Sequence, residues 1–310
     1  MPSFNAPAVS VIIPVRNSGR YFRECLNSVT RQTLQDIEII IINDASTDGS
    51  DAVAETYAAQ DHRITLIHHN ESTGAGPARN DGIAIAKGEY IAFMDSDDLY
   101  PAADVLEKLY CTAVEKKANI CGGSLYKIDA DGNILDMKVP DQYFEKEGWV
   151  KYRDYQYDGG FYRFLYRKTF LKENNIIFPL YSSFEDPVFF VKAMIATEQF
   201  YALTLYTYIY RKEHKNIVWT YKKIKEHLEG LQKVILISYR YNLEHLHYIM
   251  AKNLLETLNH RASFTLKIFL FLKILNTISL INMNILKKEN KKNITKVTSK
   301  KLLLSAIRFT

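Results

Sequence analysis

The chain has 310 residues, 47% hydrophobic and 24% charged, with a formal net charge of +5. That length and balance exclude a disordered or collagen-like chain and allow one large globular domain or two modest ones. The charge is uneven: from Arg261 onward eleven Lys and Arg face one acid, Glu289, leaving the rest with 29 basic and 34 acidic residues.

The N-terminus, MPSFNAPAVSVIIPV, has no basic region followed by a long apolar one, so no secretory signal is expected. Val9 to Val15 (VSVIIPV) reads as a strand. NSGRYFRECLNSVTRQTL then places Phe22, Cys25, Leu26 and Val29 on one helical face. Ile37 to Ile42 is a nearly continuous β-branched run, the pattern of a strand buried on both sides. STDGSDAVAETYAAQ predicts a helix with Ser46 or Thr47 as its cap. Ile64 to His68 gives a third strand, Pro77 to Ala86 a short helix and Glu89 to Met94 a fourth strand. The βαβαβαβ order argues an α/β fold with a doubly wound, mostly parallel sheet, whose ligands sit beyond the strands' carboxyl ends.

Further on, ICGGSLYKIDADGNILDMKV predicts two strands turning at Asp131-Gly132. Glu185 to Thr197 should be a helix with Pro187 in its first turn, and FYALTLYTYIYR a strand. Beyond Tyr221 the pattern is helical. The domain expectation is 1–220, divided into nucleotide-binding (1–105) and acceptor (106–220) halves, followed by a helical, basic region at 221–310. Three cysteines, Cys25, Cys111 and Cys121, lack metal-ligand spacing and read as reduced, buried thiols of a cytosolic protein.

The chemistry concentrates in YIAFMDSDDLY, where Asp95, Asp97 and Asp98 fall within four residues. Carboxylates that close repel one another unless a cation or donors intervene. Residues two apart on a strand face the same way, so Asp95 and Asp97 are expected to project together into the crevice. Hard oxygen ligands with open positions suit Mg²⁺ or Mn²⁺. Taken alone, the triplet reads first as a solvated turn, with Asp98 capping the following helix. It has company, however: PVRN after the first strand, INDASTDGS after the second, NESTGAGPARNDGIAIAKGEY running into the cluster, and FEDPVFF near residue 185.

This ordered set resembles the inverting glycosyltransferases of family 2, which have the GT-A fold. Asn43 stands where the family often has an Asp. The resemblance implies that Pro14, Val15, Arg16 and Asn17 line a nucleotide cleft and that Asp44 accepts from the uracil N–H. It further implies that Arg79 lies near base or phosphates, that Asp95 and Ser96 hold ribose or sugar hydroxyls, and that Asp97 holds the metal. Asp186 would be the catalytic base, with Glu185 positioning hydroxyls. In RKEHK, Arg211 and Lys215 would close over the diphosphate and His214 would add a metal ligand, with a solvated charged loop as the other reading. Tyr155, Tyr157, Phe161 and Tyr162 fit either sugar stacking or core packing.

The reading is a metal-dependent transferase that moves a hexose or N-acetylhexosamine from a UDP-sugar to a lipopolysaccharide, lipooligosaccharide or capsule glycan. Two alternatives stand beside it. A sugar-nucleotide pyrophosphorylase needs a glycine-rich, lysine-bearing loop after the first strand, which PVRNSGR lacks; a carbohydrate-binding scaffold would carry the same site in vestigial form. The glycines of TGAGP do not make a dinucleotide fingerprint.

Residues 264–292 are the most apolar part of the chain, yet Lys267, Lys273 and three Asn interrupt them. With the lysines that follow, they predict peripheral attachment to the anionic inner face of a bacterial cytoplasmic membrane, with core packing or a homodimer contact as the other readings. Nucleic-acid binding is not expected, because lysines and aromatics are not interleaved.

Overall fold

The computed structural model describes residues 6–212 and 218–261. They fall into two compact units divided between Gly230 and Leu231. His214, Lys215 and the 264–292 segment lie outside the described residues.

The first unit opens with the expected alternation. β1 (Val9–Val15) is buried throughout, and α1 (Tyr21–Thr30) buries Phe22, Cys25, Leu26 and Val29. β2 (Ile37–Asn43) is followed by α2 (Ser50–Gln60), β3 (Ile64–His68), α3 (Ala75–Ile85) and β4 (Tyr90–Phe93). These four strands pair in parallel in the order β3-β2-β1-β4, with Val11 opposite both Ile39 and Ala92. The order reverses at β1, so the crevice opens outside the carboxyl ends of β1 and β4.

Beyond β4 come α4 (Val105–Glu115), β5 (Ile120–Ile128), β6 (Ile134–Asp136), β7 (Gly148–Lys151), α5 (Tyr152–Tyr155) and a 3-10 turn at Phe161–Arg163. β8 (Phe164–Arg167), α6 (Lys168–Glu173), α7 (Glu185–Thr197) and β9 (Gln199–Arg211) follow. Among the described residues, nine strands form one sheet, which continues past β4 as β8-β5-β9-β7 with β6 on β5. The fold is that of the GT-A class: β8 is antiparallel to both neighbours, and parallel pairing returns only between β5 and β9.

An aromatic cluster joins the two halves of the sheet. The Phe93 ring, on β4, meets Phe161, Tyr166, Phe178 and Phe189 at centroid distances of 5.6, 5.8, 5.2 and 5.4 Å. Phe178 and Phe189 stack face to face at 4.0 Å. Each such pair contributes roughly 0.5–1.5 kcal/mol beyond its buried area, so the floor of the crevice is a rigid apolar surface.

Two local expectations are corrected. Neither Ser46 nor Thr47 caps α2; Asp48 Oδ1 accepts from the Ser50 N–H at 3.0 Å, while Ser46 and Thr47 bond to Asn17. Asp48 is better placed because Gly49, in the left-handed region (φ 89°), turns the chain immediately before the helix. Cys111 is exposed on α4 rather than buried; Cys25 and Cys121 are buried.

The second unit contains the end of α8 (Tyr221–Arg240) and α9 (Glu244–Arg261), with Val234, Ile235, Leu246, Met250 and Leu254 buried. The His247 imidazole bonds to Ser238 Oγ at 3.1 Å, and burial lowers its pKa. Among the described residues no helix is long and apolar enough to cross a membrane.

Candidate active site

The acidic turn sends the Asp95 and Asp98 carboxylates in different directions. β4 ends at Phe93, and the Asp98 N–H closes a turn on the Asp95 carbonyl at 3.0 Å. The strand alternation expected to pair Asp95 with Asp97 therefore does not extend to them. Asp98 points inward: its carboxylate accepts from the Tyr208 hydroxyl at 2.8 Å and the Arg211 N–H at 2.7 Å. Burial, and then the charges of Asp97 and Asp95, push its pKa well above the usual carboxylate range. Tyr208 also accepts the Asp95 N–H at 3.1 Å, so one phenol on β9 fixes both ends of the turn.

Asp95 is directed towards the crevice floor, where the Arg79 guanidinium meets it at 2.7 Å. The other terminal nitrogen of Arg79 reaches Glu185 at 3.3 Å. The guanidinium carbon lies 4.8 Å from the Phe161 ring centroid and 5.1 Å from that of Phe178. Burial opposes its charge, but Asp95 and Glu185 outweigh burial and hold its pKa above the ordinary arginine value. Arg79 is thus committed to carboxylates under the site rather than turned towards a base or phosphate. Next to it, Asn80 bonds the Phe178 backbone in both directions, N–H and C=O each at 2.9 Å. No local pattern in PARND marks Asn80 for this pairing.

Glu185 and Asp186 open α7. Gly76 lets α3 approach them: a Cβ there would lie 2.9 Å from the Pro179 carbonyl oxygen and 3.1 Å from Glu185 Cγ. Asp186 is half-buried. Burial first, then the negative charges of Glu185, Asp95 and Asp158, raise its pKa well above the usual range despite the opposing Arg79. A carboxyl held in this way keeps its proton to higher pH than an ordinary carboxylate does.

Around the mouth, Val15 and Pro14 are buried in β1, and Arg16 and Asn17 are exposed beyond it. Arg16 donates to Ser72. The Ser96 and Ser18 hydroxyls bond at 2.6 Å, joining the acidic turn to the loop after β1. Asp44 is placed differently from its implied role. Its oxygens accept from Ser72 Oγ at 2.6 Å, from the Thr73 and Gly74 N–H groups at 2.7 and 3.0 Å, and from Thr73 Oγ1 at 3.1 Å. His69 Nδ1 lies 2.9 Å away. Asp44 is therefore the anchor of the 69–74 loop, and a base would reach it only by displacing these donors. Burial pushes its pKa up, yet the donors more than compensate and bring it down to about 2. The linked stability is complete above about pH 4 and is lost as pH falls through 2, on the order of 2 kcal/mol. Denaturant unfolding between pH 5 and 2 should show this loss in the wild type and a flatter profile in Asp44→Asn.

Arg211 corrects a further expectation. It is the last residue of β9, 3% exposed, and not a loop residue free to close over a diphosphate. Its side chain bonds the Asp97 carbonyl at 3.1 Å, the Ala130 carbonyl at 3.2 Å and the Glu24 carboxylate at 2.6 Å. With five donors in a fixed fork, an arginine satisfies three elements at once where a lysine cannot. It also lines a cavity of about 380 Å³ shared with Arg20, Glu24, Tyr126 and Ile209. Phe161 and Tyr162 are packing residues, with Tyr162 stacked on Tyr208 at 4.2 Å. Tyr155 donates to the Asp141 carbonyl and accepts from Arg163.

A parallel first half, a mixed second half and carboxylates gathered where they meet are the architecture of the GT-A class. The sequence profile described as glycosyl transferase family 2 matches residues 10–174. EpsJ of Bacillus subtilis, named an uncharacterized glycosyltransferase, is 33% identical over 265 residues, covering 82% of this chain and 74% of its own length. The chain belongs to glycosyl transferase family 2. Glycosyltransferase GlyG of Streptococcus pneumoniae serotype 4 is 41% identical over 127 residues, 41% of this chain and 42% of GlyG. The chain thus spans less than half of GlyG's length. Among solved structures, residues 1–349 of S. aureus TarS in complex with UDP-GlcNAc superimpose with a TM-score of 0.67 at 21% identity, covering 82% of this chain and 73% of TarS 1–349.

Proposed function

We propose that this chain is an inverting, metal-dependent glycosyltransferase that moves a hexose or N-acetylhexosamine from a UDP-sugar to a hydroxyl of a bacterial surface glycan. The observation that carries this reading is the Arg79 bridge. One buried guanidinium holds Asp95, on the nucleotide side, and Glu185, beside Asp186, so donor and acceptor chemistry share a rigid floor.

In this reading Pro14 to Asn17 and Ser96 border the nucleotide, and Asp95 and Glu185 orient sugar hydroxyls. Asp186 takes the proton of the attacking hydroxyl, whose own pKa lies far above neutral. One base opposite the leaving group gives a single displacement through an oxocarbenium-like transition state, hence inversion. The turn also fits a divalent cation. No group of three His, Cys, Asp or Glu among the described residues is arranged to hold an ion unaided, and Asp98 is already engaged. Asp97 would therefore hold Mg²⁺ or Mn²⁺ together with diphosphate oxygens, a ligand set these ions accept. When bound, the ion supplies charge neutralisation for the leaving diphosphate. TarS crystallised with UDP-GlcNAc favours a UDP donor. A lipopolysaccharide, lipooligosaccharide or capsule acceptor, and attachment to the inner membrane face through residues 262–310, rest on family and composition.

The test is UDP release from UDP-glucose, UDP-galactose, UDP-GlcNAc and UDP-GalNAc, each with Mn²⁺ and with isolated lipid-linked glycan as acceptor. Acceptor-stimulated release from one of them is the expected result. UDP binding without turnover on any would leave only a carbohydrate-binding scaffold.

A further inference from the structure

We propose that one face of α8, carrying Glu226, His227 and Gly230, positions the base by holding Phe184 in a left-handed backbone conformation and so fixing where Asp186 lies. The inference deepens the proposed function and rests on Asp186 being the base.

Phe184 is the residue on which α7 starts, with φ 69° and ψ 21°. A bulky L-residue rarely adopts that region unless its surroundings impose it. Here they do so at three successive residues. The Ser182 N–H and hydroxyl donate to Glu226 at 2.8 and 2.5 Å. Ser183 Oγ lies 2.9 Å from His227 Nδ1. The Phe184 ring meets the His227 ring edge-on at 4.9 Å, and Trp219 meets the same imidazole at 5.2 Å.

Gly230 supplies the space. A Cβ there would lie 2.9 Å from Phe184 Cδ1, 3.0 Å from its Cβ and 3.2 Å from its carbonyl oxygen. Glu185 and Asp186 follow at once, so a shift of Phe184 is passed to the carboxylate with no intervening hinge. The charged groups that act most strongly on Asp186 are Glu185, Arg79, Asp95 and Asp158, from α7, α3, the acidic turn and the loop after α5. None of them belongs to α8, so α8 acts on the base through geometry and not through charge.

The test is Gly230→Ala, assayed by acceptor-stimulated UDP release with the sugar nucleotide selected by the donor panel. Misplacing a reacting group by about an ångström costs up to 10²-fold. The expected result is a kcat lower by about ten- to a hundredfold, with the donor KM and the calorimetric Kd for UDP unchanged. The acidic limb of the kcat/KM profile should also move towards ordinary carboxylate values as Asp186 leaves its enclosure. A merely structural role would lower thermal stability without moving that limb.

Because the clash is with Phe184, the double variant F184G/G230A should recover the kcat of Phe184→Gly alone; glycine takes φ 69° freely and removes the ring. Should Gly230→Ala fail to fold, His227→Phe keeps the ring and loses the Ser183 bond, with the same split of kcat from KM. Wild-type kcat and pH profile in both Gly230→Ala and His227→Phe would overturn the inference, as would a Gly230→Ala loss that Phe184→Gly does not relieve. The proposed function fails separately: if Asp186→Asn turns over normally, Asp186 is not the base.

Discussion

Asp186→Asn should lower kcat by about 10²–10⁴-fold, the usual contribution of a positioned general base, while the Kd for UDP stays within about twofold of wild type. The amide keeps the shape of the carboxyl and cannot accept the proton. Arg79 makes its hydrogen bonds to Asp95 and Glu185, so the floor that borders the donor is undisturbed. The pH dependence gives a second reading of the same residue. Burial, then Glu185, Asp95 and Asp158, raise the Asp186 pKa, so the ionised base appears only above the usual carboxylate range of about 4. The acidic limb of kcat/KM should therefore lie above that value in the wild type. Linkage fixes the sign of a stability effect as well. The folded state binds this proton more tightly than the unfolded chain, so stability falls as pH rises from about 4 through the raised pKa. At pH 7 Asp186→Asn removes that burden, and its thermal unfolding midpoint should exceed that of the wild type. Loss of turnover with a gain in stability is the pattern of a strained active-site group. An unstable and inactive variant would instead point to a structural carboxylate.

Much of the fold was legible because its first half obeys local rules. VSVIIPV and the Ile37 run make strands buried on both faces, and the Phe22–Val29 stripe makes a helix, each within a residue or two of the boundaries found. The second half depends on pairings that no local pattern encodes. β8 is only FLYR, four residues fitted between β4 and β5, and β7 is GWVK on the sheet edge; neither is long enough to show a period. α4 was likewise not anticipated, although it buries Val105, Leu106, Leu109 and Ala113. The site shows the same division. The structure brings Asp95, just past β4, Arg79, within α3, and Glu185, at the start of α7, together. What the ordered motifs could not convey is which carboxylates face inward. Asp44 under the 69–74 loop and Asp98 under Tyr208 are consumed by donors from distant parts of the chain. Arg211 looks like a loop cation in RKEHK, but β9 carries it under the acidic turn, against Glu24 and the Ala130 carbonyl.

That inward bracing decides what Asp97→Ala should do. The turn is held by the Arg211 and Tyr208 bonds to Asp98 and by the Arg211 bond to the Asp97 main-chain carbonyl. All of these survive when the Asp97 carboxylate is removed. The expected result is a folded protein in which Mn²⁺ no longer strengthens UDP binding and transfer falls by about 10³-fold or more. That factor corresponds to about 4 kcal/mol of transition-state stabilisation, within the several kcal/mol a divalent cation supplies to a departing phosphate. Titrating UDP calorimetrically with and without Mn²⁺ in both proteins isolates the effect from acceptor binding. Asp98→Ala is the control for bracing alone. It strands the Tyr208 hydroxyl and the Arg211 N–H in the interior, each at about 1–3 kcal/mol, and should lower the unfolding midpoint. Manganese-dependent UDP binding retained in Asp97→Ala would mean that the ion is held elsewhere, and the division of labour between the two neighbouring carboxylates, one for the ligand and one for the fold, would have to be abandoned.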